Sequence, residues 1–380
     1  MPPLRAVFLN QGSGGDAVLG HLTTEAILRP RVEAADDIEA RFLRLPPLRG
    51  LAAQAVRSVP GLARLDLDLQ AVRWHLVQAR RARSVMTAAL ARQPADVVHL
   101  HSHVLAFGLS ELMGDVPTLL SVDAPVWEVH AMGIWRPVRR HSRMAVAPSI
   151  RLERGAFAGA AAVLAWSRWA RAGVERECPG ARVVDHHPGI DTSLFRPAPR
   201  SPRPVPRVLF VGGRFEQKGG ADTVEALSPA LNRGEVELDV VTKSPVPARP
   251  GLRVHRLSAQ DPELVRLYQE CDVFSFPSHA DACPWAVIEA MACGAAVVAS
   301  DVGGTAELVD HGRAGLTVGP GRVGDLRAAL ESLLADPARR ADLGERARRR
   351  VEATYDADRN AAVLLDLLRD AARSPGGGTL

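Results

Sequence analysis

At 380 residues, with 47% apolar and 24% charged side chains, the chain is long enough for two cores and too apolar to be intrinsically disordered. Its longest apolar run, residues 156–166, is about half the ~20 residues a membrane-spanning helix needs. A formal charge of +4, with no aromatic platform or recognised motif, predicts no nucleic-acid partner. Cys178, Cys271, Cys283 and Cys293 lack CxxC spacing, so neither a disulfide framework nor a zinc site is expected.

The opening "MPPLRAVFLN" enters a strand without the basic start, apolar core and cleavage site of a signal peptide, which predicts a cytoplasmic protein. In the next loop, Gly12, Gly14 and Ala17 fit GxGxx[GA]. A nicotinamide-dinucleotide site would also need an acid at the end of the second strand, and "ARFLRLPP" has none. Asp66 and Asp68 in "DLDLQ" read as helical and are discounted as metal ligands. The strand "DVVHLH" puts His99, His101 and His103 on one face if it persists. With no carboxylate or cysteine at matching spacing, lining or packed histidines are expected rather than a metal site. The strand "TLLSVD" ends on Asp123, read as a capping acid or a cleft residue. The arginines between Arg136 and Arg154 read as a solvated helix face, or as a contact for an acidic acceptor or an anionic membrane surface.

Apolar runs bounded by Gly and Pro continue to alternate with amphipathic stretches, from "AAVLAW" through "RVLFVGG", "ELDVVTK", "RVHRL", "VFSFP" and "AAVVAS" to "GLTVG". That alternation predicts an α/β protein with parallel sheets and crossover helices, built twice. The expected divisions are an N-terminal domain over 1–195, a proline-rich linker over 196–207, a C-terminal domain over 208–355, and a last helix with a tail over 356–380. The last helix is expected to cross back to the N-terminal domain.

Two stretches of the second half carry chemistry. In "RVLFVGGRFEQKGG" a strand runs into a glycine-rich turn with Arg214 and Lys218, an arrangement suited to a diphosphate; the alternative is an ordinary loop with exposed cations. All but two of the 47 basic residues are arginine, which makes the lysine at 218 a notable retention. In "DACPWAVIE" the helix is predicted to begin at Pro284 and end before Gly294. Glu289 is apolar-flanked on that helix, and a buried carboxylate needs donors, from an arginine or from a ligand's vicinal hydroxyls. Asp281, in the loop at the helix start, is read as a second acceptor for a polyhydroxylated ligand or as a plain capping acid.

The stretch from Phe276 to Val318, "FPSHADACPWAVIEAMACGAAVVASDVGGTAELVDHGRAGLTV", resembles the donor-binding signature of the GT-B glycosyltransferases of family 4. "HPGIDTSLFRP", "FVGGRFEQKGG", "SRWARAGV" and "DVVHLHSH" are similar to other parts of the same family, so the resemblance covers nearly the whole chain. It implies two Rossmann-like, doubly wound domains facing across a cleft, the N-terminal one binding acceptor. It implies a retaining transfer from a nucleotide-diphospho-sugar, UDP-linked as the commonest case, to a hydroxyl of a glycan, a lipid-linked glycan or a small natural product, with no metal and no cofactor. Glu289 would bind ribose hydroxyls, Arg214 and Lys218 the diphosphate, and Asp281 the sugar hydroxyls. Backbone amides around Cys283, Pro284 and Trp285 would touch sugar and phosphate, and Gly14 and Gly15 would let their loop approach the diphosphate and acceptor. Two departures stand out. Asp281 replaces the family's glutamate and Cys283-Pro284 its Phe-Gly, while Asp123 stands where the family carries a cleft histidine. A nucleotide-sugar epimerase and a catalytically silent binding subunit are the rival readings on this architecture.

Overall fold

The computed structural model describes residues 2–11, 19–64, 67–133, 138–139, 141–199, 203–259 and 261–373. Contacts divide the chain into two units, Met1–Gly189 with Asp358–Leu380, and Ile190–Ala357. The proline-rich segment 196–207 falls inside the span of the second unit.

The first unit is built on six strands: β1 (Leu4–Asn10), β2 (Ile38–Arg44), β3 (Val97–Leu100), β4 (Thr118–Val122), β5 (Ala162–Ala165) and β6 (Val183–Asp185). Their order is β2-β1-β3-β4-β5-β6, and every pairing is parallel. The period-two alternation of β1 sorts its side chains between two cores. Val7 and Leu9 join Val98, Leu100, Leu120 and Val163 on one face. Ala6 and Phe8 join Val97, Leu119, Leu164 and the helix Ala357–Arg373 on the other. That helix buries Ala361, Leu364, Leu365, Leu368 and Ala371, a stripe at three- and four-residue spacing. β6 is absent from the strands the sequence predicts. Three half-buried or exposed residues give it neither length nor alternation.

The second unit repeats the plan with β7 (Arg207–Val211), β8 (Glu237–Val241), β9 (Leu252–His255), β10 (Val273–Phe276), β11 (Ala296–Ser300) and β12 (Leu316–Val318). The order is β12-β11-β10-β7-β8-β9, again all parallel. Val208, Phe210, Leu238, Val240, Val273 and Val298 pack under the helices Gly220–Asn232 and Val323–Ala335. Strand order reverses between β7 and β10, which are hydrogen-bonded neighbours although 61 residues separate their ends. In an open parallel sheet such a reversal leaves a crevice beyond the carboxyl ends of the two strands, because their crossover helices depart to opposite faces.

Candidate functional site

The two chemistry-bearing stretches of the second unit leave the sheet at this reversal. β7 feeds the loop 212–219, which carries Arg214 and Lys218 and ends at the helix Gly220–Asn232. β10 feeds the loop 277–284, which carries Asp281, and then the helix Trp285–Ala292 with Glu289. Pro284 is the N-cap rather than the first helical residue, one position from the prediction, and Gly294 beyond the helix end has φ +71°.

Two glycines here fit protein backbone against protein backbone. A Cβ on Gly219 (φ +77°) would lie 2.1 Å from the Pro277 carbonyl oxygen, and one on Gly303 (φ +54°) 2.1 Å from that of Asp281. The acid-bearing loop is thus held between two backbones that no side chain can separate. Gly213, by contrast, has nothing within 4 Å of a built Cβ. Gly303→Ala is expected to lower stability by about 2–4 kcal/mol, from left-handed strain plus a clash with fixed backbone, measured by urea unfolding. An unchanged midpoint would show that the loop can yield.

Across the reversal, Lys218 Nζ lies 2.6 Å from Asp281 Oδ2 and 3.3 Å from the Ala280 carbonyl. The loops are also joined by the His279 amide donating to the Gln217 carbonyl at 3.0 Å, and His279 Nε2 lies 2.8 Å from Asp222 in the first turn of the helix Gly220–Asn232. Arg214 is exposed and donates to Gln217 Oε1 at 3.0 Å. One loop therefore presents two cations, one of them already paired to the acid of the facing loop.

Glu289 is 6% exposed, and its Oε2 accepts a 2.7 Å hydrogen bond from the hydroxyl of fully buried Tyr268. Of the two donors the sequence weighed, an arginine or a ligand, neither is this one. Tyr268 stands on the inner stripe of the helix Pro262–Glu270 with Leu264 and Leu267. Glu289 Oε1 has no hydrogen-bond partner among the described residues. Burial pushes the carboxyl up to about 7, and the Tyr268 hydrogen bond opposes that shift by favouring the charged form. Tyr268→Phe is accordingly expected to move the pH midpoint of Glu289-dependent ligand binding upward by about one pH unit. A titration of ligand affinity against pH checks it, and an unmoved midpoint would contradict it.

The remaining predicted positions are distributed as follows. Cys283 and Pro284 are buried, and Trp285 is half-buried with its indole Nε1 enclosed and unbonded among the described residues. Such an enclosed donor is costly unless something accepts from it. Asp123 belongs to the first unit, at the end of β4, where Oδ1 accepts from the Ala124 amide at 2.9 Å. Gly14 and Gly15, with Gly12 and Ala17, lie outside the described residues, as does Asp66. Asp68 precedes the helix Gln70–Arg92 instead of lying within a helix. It is buried, and its carboxylate accepts from Ser58 Oγ and the Val59 amide. The histidines do not share a strand face: β3 stops at Leu100 and His103 opens a 3-10 helix. His99 meets Ser121 at 2.9 Å and is pushed down to about 3 by burial, while His103 lies 2.9 Å from Glu153. Of the arginines between Arg136 and Arg154, Arg143 and Arg154 both bond to Glu177, and Arg136 and Arg140 are outside the described residues.

The residue that sequence reasoning missed is Tyr268. A usable signal existed: it is one of two tyrosines in the chain and lies in the amphipathic stretch "DPELVRLYQE" beside Leu264 and Leu267, where a buried hydroxyl must find a partner.

Residues 205–336 match the family model described as glycosyl transferases group 1. The chain is 38% identical over 157 residues to the D-inositol 3-phosphate glycosyltransferase of Gordonia bronchialis, covering 41% of this chain and 30% of that protein. It is 30% identical over 296 residues to the alpha-maltose-1-phosphate synthase of Mycolicibacterium smegmatis, covering 68% of this chain and 74% of that one. Among the first relatives matched, the chain spans no more than about half of their length. The fold is also that of Anabaena Alr3699/HepE, solved in complex with UDP and glucose, with a TM-score of 0.66, 17% identity and coverage of 96% of this chain and 99% of that one.

Proposed function

Because the chain belongs to the glycosyl transferases group 1 family, with the GT-B fold, we propose that it moves a sugar from a UDP-sugar to a hydroxyl acceptor with retention at the anomeric carbon. The acceptor class is a glycan, a lipid-linked glycan or a small natural product, and the names of two relatives extend it to a phosphorylated cyclitol or sugar. The single observation that carries the donor reading is the meeting of Lys218 and Asp281 at the β7–β10 reversal. The UDP complex of the Anabaena protein supports the choice of nucleotide.

In this reading Lys218 and Arg214 face the diphosphate, and Glu289 Oε1 accepts from the ribose hydroxyls while Tyr268 fixes Oε2. Asp281, already bonded through Oδ2, turns its other oxygen to the sugar. Its bond to Lys218 holds this side chain, one methylene shorter than the family's glutamate, in place. The bond from the anomeric carbon to the phosphate oxygen breaks, and the acceptor oxygen bonds to the same face of that carbon. The acceptor proton passes to the departing phosphate. Cations at the leaving oxygen lower the barrier because they meet charge that grows as the bond breaks. A retaining glycosidase instead flanks the bond with two carboxylates, and Glu289 is not a nucleophile here.

Incubation with a panel of nucleotide-sugars, with and without acceptors, tests this. Acceptor-dependent release of UDP is the expected result. Release or interconversion of sugars without acceptor would indicate an epimerase, and binding without turnover a silent subunit; either would overturn the transferase reading.

A further inference from the structure

Between residues 49 and 92 the chain carries eight arginines against two aspartates, with no glutamate or lysine. Asp68 is buried, whereas Arg49, Arg57, Arg64 and Arg80 are exposed. The same stretch concentrates apolar exposure. Six of the ten exposed large apolar side chains among the described residues fall between 51 and 76, led by Leu51 at 83% and Leu67 at 60%. Single exposed leucines are ordinary, but this clustering on one short segment is not.

The described residues of the segment are tied to one another by side-chain hydrogen bonds. Asp68 holds Ser58 and Val59. The Arg73 guanidinium donates to the carbonyls of Ala55, Arg57 and Asp68, and Gln70 Nε2 to that of Val56. The short helices Gly50–Ala55 and Pro60–Ala63 are thereby tied to the start of the helix Gln70–Arg92. On that helix Arg73, Leu76 and Arg80 fall at three- and four-residue spacing along one face. Leu69 adopts a left-handed conformation (φ 48°) while 43% exposed. Solvation alone would favour glycine or asparagine at such a position.

We propose that this lobe of the first unit docks on an anionic lipid bilayer, with Leu51, Leu62 and Leu67 entering the headgroup boundary and the exposed arginines meeting lipid phosphates. A cationic face with projecting leucines matches the chemistry of an anionic membrane surface. A second copy of the chain would set arginines against arginines across a two-fold interface. In the stretch between Arg136 and Arg154, Arg143 and Arg154 share Glu177, as Arg83 of this lobe meets Glu111; the clustering of exposed leucines is what sets the lobe apart. The inference goes beyond the transfer reaction and does not depend on the donor site.

Co-sedimentation of the full chain with vesicles tests it. Partitioning onto phosphatidylcholine vesicles containing phosphatidylglycerol is expected to exceed that onto phosphatidylcholine alone by about tenfold or more, and to weaken with added salt. Arg57→Gln with Arg64→Gln, and separately Leu51→Ser with Leu62→Ser and Leu67→Ser, are each expected to reduce it about tenfold without changing the melting temperature. No anionic preference, wild-type binding by either variant, or an oligomer that the leucine variant dissociates would overturn the proposal.

Discussion

Lys218→Ala is expected to lower kcat/KM for sugar transfer by about 100- to 1,000-fold, the usual cost of removing one donor that stabilises charge in the transition state. The lysine lies at the β7–β10 reversal, where its ammonium meets Asp281 at 2.6 Å, with 24% of its side chain exposed. Removing it also leaves Asp281 without that partner. For a pair that is only partly buried, the stability cost is about 1–2 kcal/mol, far less than the catalytic loss. Lys218→Arg separates the two effects. A guanidinium keeps the charge, but its planar fork cannot occupy the point contact shared by the Asp281 carboxylate and the Ala280 carbonyl, so activity should fall while stability is nearly retained. Steady-state kinetics beside urea unfolding decide the matter. Activity within threefold of wild type in Lys218→Ala would reduce the residue to a structural ion pair.

Glu289→Gln is expected to make the protein more stable at pH 8 and to weaken nucleotide-sugar binding about 10- to 100-fold, the range for losing a charge-assisted hydrogen bond. The two effects share one cause. Burial holds the Glu289 carboxyl at about 7, above its ordinary 4.5, so between those values the folded chain keeps a proton that the unfolded chain has released. The stability carried by that proton is fully present below about 4.5 and is lost as pH rises through 7, a loss of about 3 kcal/mol at pH 8. Glutamine cannot ionise and escapes the loss. The variant's melting temperature should match wild type at pH 5 and exceed it at pH 8, by about 2–4 °C for each kcal/mol. Thermal unfolding at the two pH values, with calorimetric titration of UDP-glucose, reads both arms. Equal stability at pH 8 or unchanged affinity would show that Glu289 is neither strained by ionisation nor a ribose acceptor.

These effects were only partly legible in the sequence. Local pattern sufficed for β1, β7, β10 and β11, each a largely apolar run, with glycine directly after β7 and proline directly after β10. Lys218 and Asp281 could each be singled out from their own loops, but their contact follows from strand order, which places β10 beside β7 with two strands intervening in sequence. No local spacing encodes that pairing. Glu289 was legible as a buried acid because its helix is apolar all round; its partner Tyr268, on a different helix, was not. Gly303 could be read as a turn glycine, whereas its role of backing the Asp281 carbonyl needed three dimensions. Asp68 was misplaced in a helix although its flanking leucines alternate at every second position, and the Ser58 and Val59 donors that hold its carboxylate lie ten and nine residues away.

The most direct measurement is a crystal structure of the full chain soaked with UDP. The account predicts the diphosphate against Lys218 and Arg214, and a ribose hydroxyl within about 3.2 Å of Glu289 Oε1. A nucleotide bound away from the β7–β10 reversal, or a ribose left in solvent with Glu289 bonded to Tyr268 alone, would contradict it.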